Sequence, residues 1–274
     1  MGYSTKKACN NGIESVRKNV SVAPVDDATS SGPDRARPVR LVVVARTDRR
    51  GFGAEAAVET LGQNFNVAPT NDVYGVVDTA DGREVQAFMW GLLPVWAKER
   101  KLGQKMINAR SETIAEKPAF KGVFKKHRCI IPMDGFYEWA PGVEGGPVTK
   151  AGKLAKRPYF IHRTDDEPLA VAGLWSAWRQ GRGPTHRGSY TASVITTSAN
   201  ATMESIHNRM PVILPKAMWD QWLDPTNQNI DMLSKLLVPA PDNLLTMRGV
   251  DRREQRPQQG RPPRRPRLTG RPAD

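Results

Sequence analysis

The chain contains only two cysteines, Cys9 and Cys129, among its 274 residues. Two thiols provide neither the framework of several disulfides found in small secreted domains nor the cysteine set of a structural zinc site. We therefore expect a reducing, cytoplasmic setting. No apolar run approaches the roughly 20 residues that a membrane helix needs, and the charged N-terminus lacks the apolar core of a signal peptide.

Acidic residues are scarce relative to basic ones, with 28 Asp and Glu against 41 Lys and Arg and a net charge of +13. Residues 1–40 contribute +3 of this charge and residues 251–274 contribute +5, which leaves +5 for the long middle part. Such a mildly basic middle suits a nucleic-acid partner without indicating one by itself. The chain has no metal-binding or nucleotide-binding motif, so we expect no cofactor and no metal site.

Hydrophobic periodicity predicts one α+β domain between two low-complexity ends. Residues 1–37 and 250–274 show no sustained period and are predicted to be disordered. Short β-branched runs between them predict strands at 40–45, 73–77, 85–90, 158–161, 169–174, 190–197 and 244–247, with two more segments within 129–139 around a turn at Asp134-Gly135. Short helices are predicted at 54–61, 111–116, 120–124, 198–206, 217–223 and 230–237, and Asp81-Gly82 predicts a hairpin.

The stretch from Glu204 to Pro211 combines a proton-transfer group with a cation. Histidine has an unperturbed pKa near neutrality, which suits His207 to general acid or base catalysis. The planar fork of Arg209 suits a phosphate. An isolated His-x-Arg before a proline is more often a solvated turn, so this interpretation depends on the rest of the chain.

Two further segments contain side chains suited to proton transfer or to nucleic-acid binding. Glu138 stands between aromatic residues, and a carboxylate held against apolar surface is favoured in its neutral form, as an acid or base near neutral pH must be. The alternative is a solvent-facing strand residue. Trp96 precedes a loop rich in Lys and Arg, a combination that stacks bases and holds phosphates. We assign Trp90, Trp219, Trp222 and Cys129 to the core, where a thiol is inert.

Six motifs in order between about residues 40 and 247 resemble those of the SRAP (SOS-response-associated peptidase) family of abasic-site processing proteins, nearest to its actinobacterial members. They are Asn66-Val67-Ala68-Pro69, Trp90-Gly91-Leu92, Ile107-Asn108-Ala109-Arg110, Pro132-Met133-Asp134-Gly135-Phe136-Tyr137-Glu138-Trp139, Ala172-Gly173-Leu174-Trp175 and Ile206-His207-Asn208-Arg209-Met210-Pro211. The resemblance implies that residues 38–249 form a single SRAP-like domain. It also implies a curved, barrel-like antiparallel sheet, flanked by short helices, with a groove for single-stranded DNA.

The resemblance further implies a reaction. Members of the family cross-link themselves to abasic sites, because an N-terminal cysteine offers an amine and a thiol that close on the aldehyde of the open-chain sugar as a thiazolidine. The adduct protects the lesion. The positions that match the catalytic residues are Asn108, which orients the sugar, Glu138, which assists proton transfer at the amine, and His207, which acts on the ring oxygen.

By the same resemblance, Arg110 and Arg209 hold the flanking phosphates. Trp96, Trp139 and the loop from Asn66 to Pro69 stack or wedge the neighbouring bases. Backbone contacts and stacking tolerate any base sequence, so recognition depends on the aldehyde and on unstacked single-stranded DNA. We expect a monomer in the cytoplasm that joins the nucleoid when bound to DNA, and no membrane partner.

The two ends depart from the family pattern. Members begin Met-Cys-Gly-Arg and an aromatic residue, whereas the alignment of residues 38–46 places Pro38 and Val39 at the cysteine and the glycine. Cys9 has no Gly-Arg-aromatic after it and would need a specific cleavage to become N-terminal. Together with the Arg/Pro repeats after Asp251, this is the pattern that a wrongly started or frame-shifted reading of a GC-rich gene yields.

Several interpretations therefore stay open. The first is an abasic-site enzyme, in which an amine without the thiol forms a reversible Schiff base and promotes strand cleavage as a lyase. The second is a non-covalent single-stranded DNA-binding module or an inactive family member. The third, suggested by the family name, is a hydrolase that removes its own leader before a cysteine, and the sequence lacks that scissile site.

Overall fold

Two sheets facing each other across a shared core make up most of the computed structural model. The structure describes residues 40–42, 49–56, 61, 67–179 and 189–250. Within them the strands are β1 (Arg40–Val42), β2 (Glu55–Ala56), β3 (Asp72–Thr79), β4 (Gly82–Trp90), β5 (Asn108–Arg110), β6 (Arg128–Met133), β7 (Gly135–Ala140), β8 (Arg157–Arg163), β9 (Leu169–Trp178), β10 (Ser189–Ser198), β11 (Arg209–Pro211) and β12 (Leu245–Gly249). The α-helices are α1 (Pro118–Lys126), α2 (Ala201–Glu204), α3 (Trp219–Leu223) and α4 (Ile230–Ser234).

The smaller sheet has the antiparallel order β1-β7-β8-β12. The larger sheet has the order β11-β10-β9-β6-β3-β4-β2, and β5 pairs in parallel with β10. A further parallel pairing joins β10 to β4, with Ala192 opposite Trp90. This pairing brings the larger sheet back onto itself, so that it forms a ring that is not quite a barrel.

Strands of the larger sheet are buried on both faces, and alternation along each strand separates two hydrophobic clusters. On the inner face, Val194 packs in one cluster with Phe136 and Ile161 of the smaller sheet. On the outer face, Ile195 packs with Phe124 of α1 and with Trp222 and Leu223 of α3. The position of a residue along its strand therefore shows whether its side chain faces the smaller sheet or the helices.

The predicted α+β class, with a curved antiparallel sheet and short helices, is confirmed. The strand predictions at 73–77, 85–90, 158–161, 169–174, 190–197 and 244–247 coincide or overlap with β3, β4, β8, β9, β10 and β12. Thr79 pairs with Gly82 across the predicted hairpin, and Gly82 has a φ of 121°. Trp90, Trp222 and Cys129 are buried as expected, whereas Trp219 is half-buried and stacks on Phe52.

Several helix predictions were wrong in part; residues 111–116, for example, form only a 3₁₀ turn at Ser111–Thr113. Residues 54–61 were predicted as a helix, but Glu55 and Ala56 pair with Glu84 and Val85 at a sheet edge, because a short apolar run fits either structure and pairing decides. Residues 57–60 lie outside the described part. Only residues 201–204 of the predicted helix 198–206 are α-helical, since β10 extends to Ser198 and the Asn200 side chain caps α2 by accepting the Met203 N–H.

The turn at Asp134 connects two different sheets. β6 lies in the larger sheet between β9 and β3, whereas β7 begins at Gly135 in the smaller sheet. The segment 129–139 is therefore two strands, as predicted, but they do not pair with each other. Among the described residues, no helix is long and apolar enough to cross a membrane.

Candidate active site

Asn108 begins β5 and faces the space between the two sheets. It lies opposite Val194 in the parallel pairing with β10, and Val194 belongs to the inner hydrophobic cluster. The preceding carbonyl, that of Ile107, accepts hydrogen bonds from Trp90 Nε1 and from the Val194 backbone N–H, each at 3.0 Å. Asn108 Oδ1 is buried and accepts no hydrogen bond from any described residue. An amide oxygen in this state is open to a ligand donor.

Glu138 lies on β7, on the inner side of the smaller sheet. It has the same parity as the fully buried Phe136, and only 6% of its surface is exposed. Oε1 accepts the Trp139 backbone N–H at 3.2 Å, while Oε2 is buried without a hydrogen-bond partner in the described part of the chain. Burial raises the pKa of the Glu138 carboxyl, against the opposing effects of His207, the Trp139 N–H and Lys156. The site thus favours the neutral form of this carboxyl more than water does.

His207 lies on the segment between α2 and β11 and is half-buried. Its backbone N–H donates to the Met203 carbonyl at 2.9 Å, and its Nδ1 accepts the Arg209 backbone N–H at 3.1 Å. In this acceptor role the neutral ring carries its proton on Nε2, and in the other tautomer Nδ1–H faces the Arg209 carbonyl. Nδ1 also lies 3.3 Å from the Arg209 carbonyl oxygen. The imidazole is one of the groups that oppose the upward shift in the pKa of the Glu138 carboxyl.

Arg209 is held within the protein by an ion pair with Glu112. Its Nη1 and Nη2 donate to the two carboxylate oxygens of Glu112, with Nη2 at 3.0 Å from Oε2. Nη2 also donates to the carbonyl of Thr196 at 2.7 Å. The hydrogen bond from Arg209 holds the pKa of the Glu112 carboxyl below its usual range. Because Glu112 follows β5 and Arg209 begins β11, this pair joins the segments that contain Asn108 and His207.

The remaining predicted site residues lie around this centre at different distances from it. Arg110 is exposed and pairs with Thr196, so it lies at the edge of the same inner face as Asn108. Trp96 is 56% exposed in the loop before β5, and Pro69 is half-buried in the turn after the buried Val67. Trp139 alternates with Glu138 on β7 and therefore faces the opposite side of the smaller sheet. Asn66 lies outside the described residues.

Sequence reasoning missed Glu112 and Thr196. Glu112 could have been noticed because it stands two positions after Arg110, a predicted phosphate-binding cation, and a carboxylate can pair with a nearby arginine. Cys129 is no nucleophile here, because complete burial raises the pKa of its thiol. In the part of the chain that the structure describes, no group of three or more His, Cys, Asp or Glu side chains is placed to hold a metal ion.

Comparisons with known proteins identify the family of the chain. The family model for SOS response associated peptidase (SRAP) matches residues 39–256, and a model for a domain of unknown function, DUF1508, matches residues 1–27. The chain is 40% identical over 178 residues to abasic site processing protein YoaM of Bacillus subtilis, which covers 64% of this chain and 72% of YoaM. It is 32% identical over 185 residues to abasic site processing protein YMR114C of Saccharomyces cerevisiae, covering 65% of this chain and 45% of the yeast protein. A crystal structure of a Bacteroides thetaiotaomicron protein, 27% identical, superposes with a TM-score of 0.66 over 78% of this chain and 91% of that one.

Proposed function

The chain belongs to the SOS response associated peptidase (SRAP) family, and we propose that it binds single-stranded DNA and reacts with the aldehyde of an abasic site. One observation carries this proposal. Asn108 Oδ1 and Glu138 Oε2 are buried on opposing sheets without hydrogen-bond partners among the described residues. Buried polar atoms in this state cost stability, and a bound polar ligand is one of the few things that explain them. An open-chain deoxyribose offers the hydroxyl and carbonyl groups that match.

Each of the three central side chains has a role in the proposed reaction. The Asn108 amide orients the sugar. The Glu138 carboxyl takes a proton from the attacking amine and returns it as water leaves, so that amine and aldehyde give an imine and one water molecule. His207, in the tautomer that carries its proton on Nε2, donates this proton to the ring oxygen when the closed sugar opens to the aldehyde. A burial-raised pKa at Glu138 suits both directions of its proton transfer.

The source of the amine separates two outcomes. With an N-terminal cysteine the imine closes to a thiazolidine, whereas an amine without a thiol stops at a reversible Schiff base. Pro38 and Val39 stand at the aligned cysteine and glycine positions, directly before β1. β1 enters the site because Arg40 pairs with Tyr137, the neighbour of Glu138. We therefore propose reversible imine chemistry for the chain in this form, with a primary amine, the N-terminal amine or a lysine side chain, as the attacking group.

The DNA would lie along the exposed edge of the site. We propose that the exposed Arg110 contacts a phosphate and that the exposed Trp96, close in sequence to Lys98 and Lys101, stacks on a base. Trp139 and the loop that ends at Pro69 are proposed as further base contacts. A phosphate contact by Arg209 would require that the phosphate displace Glu112.

The test is incubation of the full chain with a single-stranded oligonucleotide that contains one abasic site, followed by borohydride and a denaturing gel. The control oligonucleotide contains a reduced abasic sugar, which has no aldehyde. We expect a trapped adduct with the first only, and losses of about 100-fold or more in E138Q and H207Q, the usual contribution of general acid–base catalysis. H162Q is the matched control, because His162 pairs with Asp166 on the far side of the smaller sheet.

Non-covalent binding is the second candidate, and the absence of cysteine at positions 38 and 39 favours it. A binding module would retain both oligonucleotides with equal affinity and would give no trapped adduct with either. That result would contradict the proposed reaction while leaving the DNA-binding surface in place.

A further inference from the structure

The connection from β7 to β8 ends on a lysine beside the strand that contains Glu138. Lys156 is exposed and stands directly before β8. We propose that Lys156 is the amine that attacks the aldehyde of the abasic site in this chain, where Pro38 and Val39 stand at the aligned cysteine and glycine positions. This inference rests on the proposed function, because it names the attacking group for that same site.

Strand pairing brings Lys156 close to Glu138. In the antiparallel pair of β7 and β8, Glu138 lies opposite Tyr159, and Ala140 lies opposite Arg157. Lys156 precedes Arg157, so it is three residues from the partner of Glu138, which is roughly 10 Å along the strand. The flexible four-carbon stem of a lysine spans part of that distance.

The backbone is held on both sides of Lys156. The preceding residue, Ala155, is buried, and its N–H donates to the Pro147 carbonyl at 2.7 Å. A Cβ at Gly142 would lie only 2.9 Å from the Ala155 carbonyl oxygen, so the start of the connection passes directly against its end. On the other side, Arg157 is paired with β7. The fold therefore fixes the point from which the lysine side chain extends.

The other two lysines of this connection lie at its far end. The Gly152 N–H donates to the Thr149 carbonyl at 2.9 Å, and the Lys153 carbonyl accepts the Thr149 N–H at 2.7 Å. Lys150 therefore lies within this turn, and Lys153 follows it directly. Only Lys156 stands where the connection joins the sheet, which makes Lys153 a matched control for it.

The electrostatics of Glu138 agree with this placement. Burial raises the pKa of the Glu138 carboxyl, and the charges of His207 and Lys156 are among the effects that oppose this shift. A cation favours the ionised form of a carboxyl only when it lies nearby. An amine beside this carboxyl has a proton acceptor at hand, and attack on a carbonyl requires an amine that has given up its extra proton.

The reaction balances without an oxidant or a cofactor. The neutral Nζ of Lys156 attacks the aldehyde carbon, so that a C–N bond forms and the carbonyl oxygen takes up a proton. Glu138 accepts a proton from the nitrogen and returns it to the oxygen as the C–O bond breaks. The products are an imine and one water molecule, which contains both hydrogens of the amine. Borohydride then reduces the imine to a stable secondary amine.

A role for Lys156 as a phosphate contact makes a different prediction. A guanidinium provides the same charge as an ammonium but stays protonated and is no nucleophile. If only the charge mattered, K156R would form the adduct and K156Q would not. If the amine is the attacking group, both variants lose the adduct alike.

The test compares K156R, K156Q and K153R with the wild type, all as full chains. Each is incubated with a single-stranded oligonucleotide that contains one abasic site, treated with borohydride and resolved on a denaturing gel. We expect loss of the adduct in both Lys156 variants and none in K153R. The Kd for an oligonucleotide with a tetrahydrofuran abasic analogue, which has no aldehyde, should be unchanged in K156R.

Tryptic mapping of the trapped wild-type protein locates the adduct without any variant. A modified Lys156 blocks cleavage after it, so we expect the modification on a peptide of residues 154–163 in place of 154–156. An adduct at the N-terminal amine or at another lysine would overturn the inference and leave the proposed function in place, as would an undiminished adduct in K156R. No adduct in the wild type would overturn both.

Discussion

The indole Nε1 of Trp90 donates a hydrogen bond of 3.0 Å to the carbonyl of Ile107, the residue before Asn108. Trp90 is fully buried at the end of β4, and the same carbonyl accepts the Val194 N–H from β10. The hydrogen bond from this core tryptophan therefore helps to fix the position of the backbone where β5 begins. The position of the Asn108 amide depends on this bond, although Trp90 itself is too deep to touch a substrate.

Substitution of Trp90 by phenylalanine should therefore affect both stability and chemistry. W90F leaves a small cavity and removes one of the two hydrogen bonds that the Ile107 carbonyl accepts, at a cost of about 3 kcal/mol in the free energy of unfolding. We also expect slower formation of the trapped adduct, because Asn108 loses one of its two anchors. Urea denaturation and single-turnover rates measure the two effects. W96F should leave the free energy of unfolding unchanged, and equal losses in both variants would contradict the argument.

The close approach of Gly91 to Gly103 holds the loop that contains Trp96. Its φ is 133°, and a Cβ there would lie 2.7 Å from the Gly103 carbonyl oxygen. G91A must strain the backbone and push the two segments apart, so we expect a loss of roughly 1–3 kcal/mol in stability together with weaker binding of single-stranded DNA. Thermal denaturation and fluorescence anisotropy provide the measurements.

The matched control is G122A in α1. A Cβ at Gly122 meets no atom within 4 Å, and the residue is exposed. Alanine in a helix is favoured over glycine, so G122A should gain up to about 1 kcal/mol and bind DNA as the wild type does. A neutral G91A would show that the approach of Gly91 to Gly103 does not hold the loop.

Substitution of Arg128 should lower the free energy of unfolding more than substitution of any other arginine in the described part of the chain. It is 2% exposed and donates to the backbone carbonyls of Phe124, Lys125, Trp222, Asp224 and Asn227. These carbonyls lie in α1, in α3 and in the segment that follows α3, where a cation also complements the helix dipoles. Burial lowers its pKa to about 10, so the group stays charged at neutral pH.

R128K tests this arrangement. A lysine carries three donors on one atom and cannot reach carbonyls spread around a planar fork, so we expect a loss of about 3 kcal/mol or more in the free energy of unfolding. The measurement is urea denaturation, with R179K at the exposed end of β9 as the control. Equal stability of the two variants would show that water replaces the missing donors.

Features that depend on neighbouring residues could be predicted from the sequence, whereas features that depend on which distant strands or side chains pair could not. The core role of Trp90 and the hairpin at Asp81-Gly82 follow from neighbouring residues, and both were predictable. The transfer of the chain from one sheet to the other at Asp134 was not, because β6 and β7 look like the two arms of a hairpin until their partners are known. Likewise, the pairing of Arg209 with Glu112 joins residues 97 positions apart, and no local pattern specifies it. Of the three central residues, Glu138 and His207 could be singled out by their side-chain chemistry, whereas Asn108 could be named only through the family motifs.

Glu138 should lower the stability of the protein at neutral pH. Burial raises its pKa in the folded state above the ordinary value of 4.5, so the stability that its neutral form provides is complete below pH 4.5 and is lost as the pH rises through the folded pKa. E138Q removes the ionisation and should be more stable than the wild type at pH 7, by on the order of 1 kcal/mol, while it abolishes adduct formation.

Urea denaturation of both proteins across the pH range measures this effect. The difference in free energy should vanish at pH 4.5 and below and should grow as the pH rises. E144Q, at an exposed position in the β7–β8 connection, should show no such trend. A difference that does not depend on pH would mean that Glu138 is ionised in the folded protein as easily as in water.

Arg110 provides the last prediction, because it separates electrostatic binding from the chemistry of the aldehyde. Its side chain is exposed at the edge of the inner face, and the proposed function has it neutralise one phosphate of a bound strand. Each such contact with a single strand contributes about −0.7 to the slope of log K against log salt. R110Q should therefore weaken binding of every oligonucleotide alike and reduce the magnitude of the slope by about 0.7, as measured by anisotropy between about 50 and 200 mM salt. K216Q, an exposed charge near α3 on the helical side of the larger sheet, should leave the slope unchanged. If both variants changed the slope equally, binding would depend on the net charge of the protein and not on a groove at this edge.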